Sequence, residues 1–391
     1  MSLKPSEIKY YSLSYATFSV LAICSIDFLT PTLPSIAAIY QLPNKSVQLS
    51  LAAFFTCYAL STIPFAYLSE KVCRYKVLKT AILISFLGHL ICGLSGNYWQ
   101  FFLGRCLAGM GAGGLILSVR CIQADRFISQ PAFYQQVTVL ITIWTGIFSD
   151  GAKIISASLI HIIPWYQLYL SLCIVGMLAF IVVYHHQKNT PLTQKTLGHS
   201  HWTIYRHTFS SRLFLVAIGC YALANGGISL ILSEAQALES SRWLFISVAS
   251  SFIVGRCINL WLIRRFTPIK IIFMSLTCLI ISLILQQLHF LYSTSAIDWF
   301  IAYGILSGII LPNSIVICAN LFGGKGFSFI YASFSLGSLG LISLMCYINI
   351  LFNHHGLVGL SLFLAICSVI VMVFLLKEQH SEFVNYNAHQ T

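Results

Sequence analysis

About a dozen apolar stretches, each long enough to cross a bilayer, run through this chain and leave little room for any other architecture. A hydrocarbon core of ~30 Å requires roughly 20 apolar residues per helix. Spans are predicted near 11–39, 47–69, 77–95, 98–122, 135–160, 165–184, 213–234, 243–263, 270–290, 297–320, 327–352 and 356–376. In lipid, only helices and closed barrels satisfy every backbone group internally. Barrel strands would alternate apolar and polar residues, and these stretches do not. The prediction is an all-α integral membrane protein with twelve transmembrane helices. The chain is 58% hydrophobic and only 8% charged, against about 25% charged residues in soluble domains.

The placement of positive charge gives an orientation. Of the 22 Lys and Arg, seventeen fall in the N-terminus, the C-terminus and every second connection: Lys4, Lys9, Lys71, Arg74, Lys76, Lys79, Arg120, Arg126, Lys188, Lys195, Arg206, Arg212, Arg264, Arg265, Lys270, Lys325 and Lys377. The intervening connections hold Lys45 and Arg242. Basic residues stay on the cytoplasmic side, so both termini are expected there and the number of spans is even. Arg105, Lys153 and Arg256 fall inside apolar segments and are assigned to mechanism instead of topology. The formal charge of +12 is spread along span borders without forming a patch. That pattern fits anionic lipid headgroups, not nucleic acid, and a multi-pass protein of the inner (plasma) membrane. The start MSLKPSEIKYYSLSYATF runs into a full-length span, so no cleavable signal peptide is read there. The 13 Cys follow no metal or disulfide spacing and read as small apolar fillers. No cofactor or metal is expected.

Two halves are visible. The longest connection, 185–211, is polar and basic, with six predicted spans on either side. The division is therefore an N-terminal six-helix half (1–184), a cytoplasmic linker (185–211), a C-terminal six-helix half (212–376) and a cytoplasmic tail (377–391). Each half carries a short basic loop between its second and third spans, EKVCRYKVLK at 70–79 and RRFTPIK at 264–270. Repeated halves are a common transporter construction, with the solute bound near the midplane between them.

Several motifs resemble the major facilitator superfamily and, within it, the twelve-span drug/proton antiporters of the bicyclomycin and chloramphenicol resistance type. The first span carries Ile26-Asp27-Phe28 ahead of Pro31 and Pro34. The second-to-third loop, from Ala66 through Glu70 and Cys73 to Arg74 and Lys76, is similar to the superfamily's loop signature. It has Ala66, Glu70 and Cys73 where glycine, aspartate and glycine are usual. The fourth span has Arg105 followed by Gly109, Gly111, Gly113 and Gly114, and Ile163-Pro164-Trp165 precedes the sixth. The antiporter signature of the fifth span is replaced by Phe148-Ser149-Asp150-Gly151-Ala152-Lys153, with Ser156 and Ala157 further on. The resemblance implies an alternating-access transporter, usually a monomer, that moves a small organic solute in exchange for protons.

Four places carry candidate chemistry. Asp27 lies inside the first span, where an acid normally faces a cavity and marks an ion or substrate path. Together with Arg105 it forms the expected proton-coupling pair. Asp150 and Lys153, three residues apart, share a helix face and are candidates for substrate binding, as either a self-neutralised pair or a zwitterion site. Tyr221, Asn225, Glu234 and Asn313 are further candidate substrate contacts, and Asn259 and Asn320 are polar groups of the same half. Glu234 also reads as an interfacial acid, and Arg256 as a residue snorkelling toward the headgroups. Glu70 and Arg74 are a candidate gating pair. No phosphate-binding glycine loop of the G-x-x-x-x-G-K-[ST] type occurs, so ATP is not the driving force, and no catalytic constellation appears. The expectation is proton-coupled efflux of a drug or metabolite. The alternatives are proton-coupled uptake of an anionic or zwitterionic metabolite, and a non-transporting sensor or scaffold.

Overall fold

The computed structural model describes residues 5–27, 29–127, 130–160, 162–189, 208–235, 241–290, 297–320, 327–352, 366–371 and 373. Among these residues it is helical, with no strand. Helices α1 (Pro5–Asp27) and α2 (Leu29–Ile39) together fall on the predicted first span. The next five are α3 (Asn44–Lys71), α4 (Arg74–Gly93), α5 (Tyr98–Phe127), α6 (Pro131–Leu159) and α7 (Trp165–Asn189). After the linker come α8 (Arg212–Ala235), α9 (Ser241–Leu262), α10 (Pro268–Phe290), α11 (Ile297–Asn320) and α12 (Phe327–Phe352). Of the predicted twelfth span, residues 366–371 and 373 are described and are helical. Seven helices among the described residues are long and apolar enough to cross a membrane.

Each helix is apolar on nearly its whole circumference, the composition of a helix buried in lipid or among other helices. The outward faces carry large apolar side chains such as Leu60, Leu83, Leu87, Leu103, Met177, Ile284 and Leu344. The polar side chains turn inward, and many buried hydroxyls bond back to the carbonyl four residues earlier, as Ser19 does to Tyr15 and Ser118 to Gly114. That bonding satisfies a hydroxyl inside an apolar environment without a second helix. Pro64 and Pro312 lie inside α3 and α11, as membrane helices tolerate when neighbours cover the freed carbonyl. Pro131, by contrast, opens α6, where its missing N–H is an orphan in any case.

Within α1–α7, α5 is the central helix, packed against α3, α4 and α1. Its glycines are what let it approach so closely. A Cβ on Gly111 would lie 2.4 Å from the Ser85 nitrogen of α4, and one on Gly109 would lie 2.5 Å from the Phe54 oxygen of α3. In the second set, α11 packs against α8, α9 and α10. The two sets meet along a seam formed mainly by α3 against α12 and α6 against α9. Along the first contact, Ala52, Thr56, Thr62 and Glu70 meet Ser343, Ala332 and Ser328 in reverse order, so α3 and α12 run antiparallel.

Candidate functional site

Arg105 has no exposed surface at all. Its Nη1 donates to the Ser25 carbonyl oxygen of α1 at 2.7 Å, and its guanidinium carbon stands 4.3 Å from the centre of the Phe54 ring. Next to it, Ser25 Oγ lies 2.6 Å from Nε2 of the fully buried His89 of α4. Among the described residues, Arg105 Nε and Nη2 and His89 Nδ1 have no hydrogen-bond partner. The docking point is two residues before Asp27, the last residue of α1. The structure therefore brings Arg105 to the Asp27 segment, while the Asp27 side chain lies outside the described residues.

The second cluster ties the α3–α4 loop to two other elements. Arg74 Nη1 donates to Glu70 Oε1 at 3.2 Å and to the Ser69 carbonyl at 3.0 Å. Its Nε reaches Asp125 Oδ2, near the end of α5, at 3.0 Å. Glu70 in turn accepts from the hydroxyl of Ser328, the second residue of α12. A carboxylate there also meets the positive end of a helix dipole. Glu70 is thus bound on one side to its own loop and on the other to the far side of the seam. Asp125 was not singled out from the sequence. The signal was its rarity: the chain has only 10 Asp and Glu, and each one near a span end is a potential partner for the loop cations.

Two further cations lie at the seam, and both correct the sequence reading. Arg120 was placed in a cytoplasmic connection, but α5 runs on to Phe127 and encloses it, leaving it 7% exposed. Its Nη1 donates to Gln123 Oε1 at 3.0 Å, and Gln123 Nε2 donates to Thr138 Oγ1 of α6 at 2.6 Å. Arg256 does not snorkel. It is buried, lies over the Phe252 ring at 4.2 Å, and donates across the seam to the Thr142 carbonyl of α6. Gly146, one turn further on, leaves the space it occupies: a Cβ there would stand 1.8 Å from Arg256 Nη1.

The predicted polar residues of the second set separate into two groups. Tyr221 and Asn225, one turn apart on α8, bond to each other and are half-buried, with Tyr221 5.2 Å from the Phe334 ring of α12. Asn313 is fully buried and donates to Asn259 Oδ1 of α9 at 2.8 Å and to the Ile309 carbonyl at 2.7 Å. That makes it a tie between α9 and α11. The side chains of Asp150, Lys153 and Glu234 lie outside the described residues, as does that of Asn320.

Two sets of apolar helices meet along a seam with buried cations on it, and the sequence profile of the Major Facilitator Superfamily matches residues 15–340. The chain belongs to that superfamily. It resembles the multidrug efflux pump SdrM of Staphylococcus aureus, 24% identical over 226 residues that cover 54% of this chain and 48% of that protein. It also resembles the uncharacterized MFS-type transporter YwfA of Bacillus subtilis, 28% identical over 98 residues that cover 25% of this chain and 24% of that one. The matched stretches thus span a quarter to about half the length of these relatives. Among solved structures, the fold is similar to the human organic anion transporter MFSD10 (TETRAN), with TM-score 0.72 at 14% identity over 95% of this chain and 100% of that one. It is also similar to FucP in its outward conformation, with TM-score 0.67 at 17% identity over 93% and 97%. The protein is thus a multi-pass, all-helical membrane protein of this superfamily.

Proposed function

We propose that this chain exports a small organic solute across the inner (plasma) membrane by alternating access, in exchange for protons. It would do so as a twelve-span monomer with both termini in the cytoplasm. The observation that carries the reading is the seam. Besides helix packing, it is tied by hydrogen bonds, such as that between Thr56 and Ser343 and that from Ser328 to Glu70, that two rocking halves can break and remake. Proton coupling is assigned to Asp27, with Arg105 docked two residues away on the same helix. A permanently charged guanidinium that moves relative to an acid would link protonation to conformation. Glu70 and Arg74 act as the gate, held in this state by Asp125 and Ser328. Export is favoured because the relatives include a multidrug efflux pump.

The test is solute flux in cells expressing the chain. Ethidium should be depleted from the cells, and either a protonophore or Asp27→Asn should abolish the depletion. Full proton-driven export by the Asp27→Asn variant would remove Asp27 from the mechanism. A second reading, proton-coupled uptake of an anionic or zwitterionic metabolite, is supported by the two buried arginines on the seam, Arg120 and Arg256. Accumulation of a carboxylated solute under the same controls would favour it.

A further inference from the structure

We propose that Arg120, with the hydroxyls of Tyr331 and Tyr221, forms a binding subsite for the acidic group of an aromatic organic anion. The proposal rests on the transporter reading above and names the chemical class of its solute.

Charge is the first argument. A guanidinium stays protonated at any physiological pH and is strongly disfavoured away from water unless a countercharge meets it. The ion pairs among the described residues are Arg74–Glu70 and Arg74–Asp125, so none of these carboxylates serves Arg120. Among the described residues, the groups that meet Arg120 are neutral: the Gln123 amide at 3.0 Å, and the Tyr331 hydroxyl, close enough to interact. It also lies within electrostatic reach of Tyr58, Tyr134 and Tyr221. These four tyrosines come from α3, α6, α8 and α12 and therefore from both sides of the seam. Arg256 acts on Tyr221 as well, adding a second positive charge along the same path.

Shape is the second argument. An aromatic strip crosses the seam from Tyr134 to Phe327 (6.4 Å), Tyr331 (6.0 Å), Phe334 (5.9 Å) and Tyr221 (5.2 Å). Most of these rings are buried where the two sets meet, so a flat solute would pack against them as the seam opens, and the neighbouring guanidinium would receive its carboxylate or sulfonate in fork geometry. The Tyr134 hydroxyl is buried and has no hydrogen-bond partner among the described residues, so a donor is already available in the strip. Tyr221, at the end of this strip, and Asn225 are half-buried. The bland alternative is that Arg120 merely braces α5 to α6 through Gln123 and Thr138. A brace would be indifferent to added anions.

The test is equilibrium binding of radiolabelled salicylate by the full chain in phosphatidylcholine nanodiscs, where no anionic lipid competes. Wild-type protein should bind salicylate, and naphthalene-2-sulfonate should displace it, while the neutral analogue salicylamide at equal concentration should not. Arg120→Gln should weaken binding at least tenfold, and Arg120→Lys, which keeps the charge but loses the fork, should weaken it by less. Tyr331→Phe should cost a few-fold. Ligand-free melting temperatures identify variants that are folded; if Arg120→Gln does not fold, Arg120→Lys and Tyr331→Phe decide. Equal displacement by salicylamide, no binding by the wild type, or wild-type affinity in the folded Arg120 variants would each overturn the subsite. Ethidium export that depends on protons, without salicylate binding, would overturn the subsite and leave the proposed function standing. Salicylate binding without flux of any solute would do the reverse.

Discussion

Arg105 grips α1 through a main-chain oxygen and lies on a phenylalanine ring, two contacts that need a planar, forked cation. Lysine would keep the charge and lose the geometry. We expect Arg105→Lys to retain helical content by circular dichroism while proton-driven export falls at least tenfold, and wild-type export by this variant would leave Arg105 a packing residue. At this scale the sequence was readable in part. A charge inside an apolar run is conspicuous, and Arg105 was found that way. Arg120 was missed because the same rule uses charge to place the end of a span, so an arginine near a border is read as the border itself. A helical wheel corrects this: fifteen residues make roughly four turns of 3.6, which puts Arg120 near the inward face that Arg105 occupies. Asp27 and Asp150 were legible as acids in spans, but which groups they meet depends on a register that one chain does not disclose.

At the level of the helix, position was legible and facing was not. Apolar length marks a span, yet lipid is as apolar as the protein interior, so the outward and inward faces use the same residues. Leu78 is fully buried and Leu83 is 51% exposed on the same helix. The close approaches of α5 make a measurable difference between glycines. Gly111→Ala would drive a methyl into the α4 backbone, where overpacking typically costs about 1–3 kcal/mol or more. Gly340→Ala, with nothing within 4 Å of the added carbon, should leave stability almost unchanged. Thermal melting of the two purified variants checks the contrast. Gly146→Ala should act differently again: it would displace Arg256 from the Thr142 carbonyl instead of displacing backbone. Its effect should therefore appear as easier separation of α6 from α9, read as faster thiol labelling of cysteines placed on that face.

For the whole molecule, the seam is the element that must move. The Thr56 and Ser343 hydroxyl oxygens stand 2.6 Å apart across it. Cysteines at both positions, cross-linked by mild oxidation, should stop export, and a reductant should restore it. Each single-cysteine variant carries the native cysteines and serves as the control. Undiminished export by the cross-linked double variant would mean that α3 and α12 do not part during transport. Glu70→Gln should weaken both arms of the gate and leave the protein biased toward its other conformation, visible as altered protease sensitivity of the α3–α4 loop. The superfamily was legible in the motifs that resemble it, such as Asp27 ahead of Pro31 and Pro34 and Arg105 ahead of its glycines, whereas the seam was not, because its partners lie more than 250 positions apart in sequence.

Many of the bonds that hold helices together here end on a peptide oxygen. Arg105 ends on Ser25, Arg256 on Thr142, Thr62 on Ala332, Ser343 on Ala52 and Tyr303 on Leu223. A carbonyl has two lone pairs, and one remains after the helix has used the other. The accepting position can therefore change its side chain without losing the bond, and only the donor must be kept. Such one-sided fastening halves the number of positions that have to co-vary, and leaves the accepting helices free to drift in sequence. It offers a physical reason why a chain only 14–17% identical to known transporters can share their architecture over nearly its whole length.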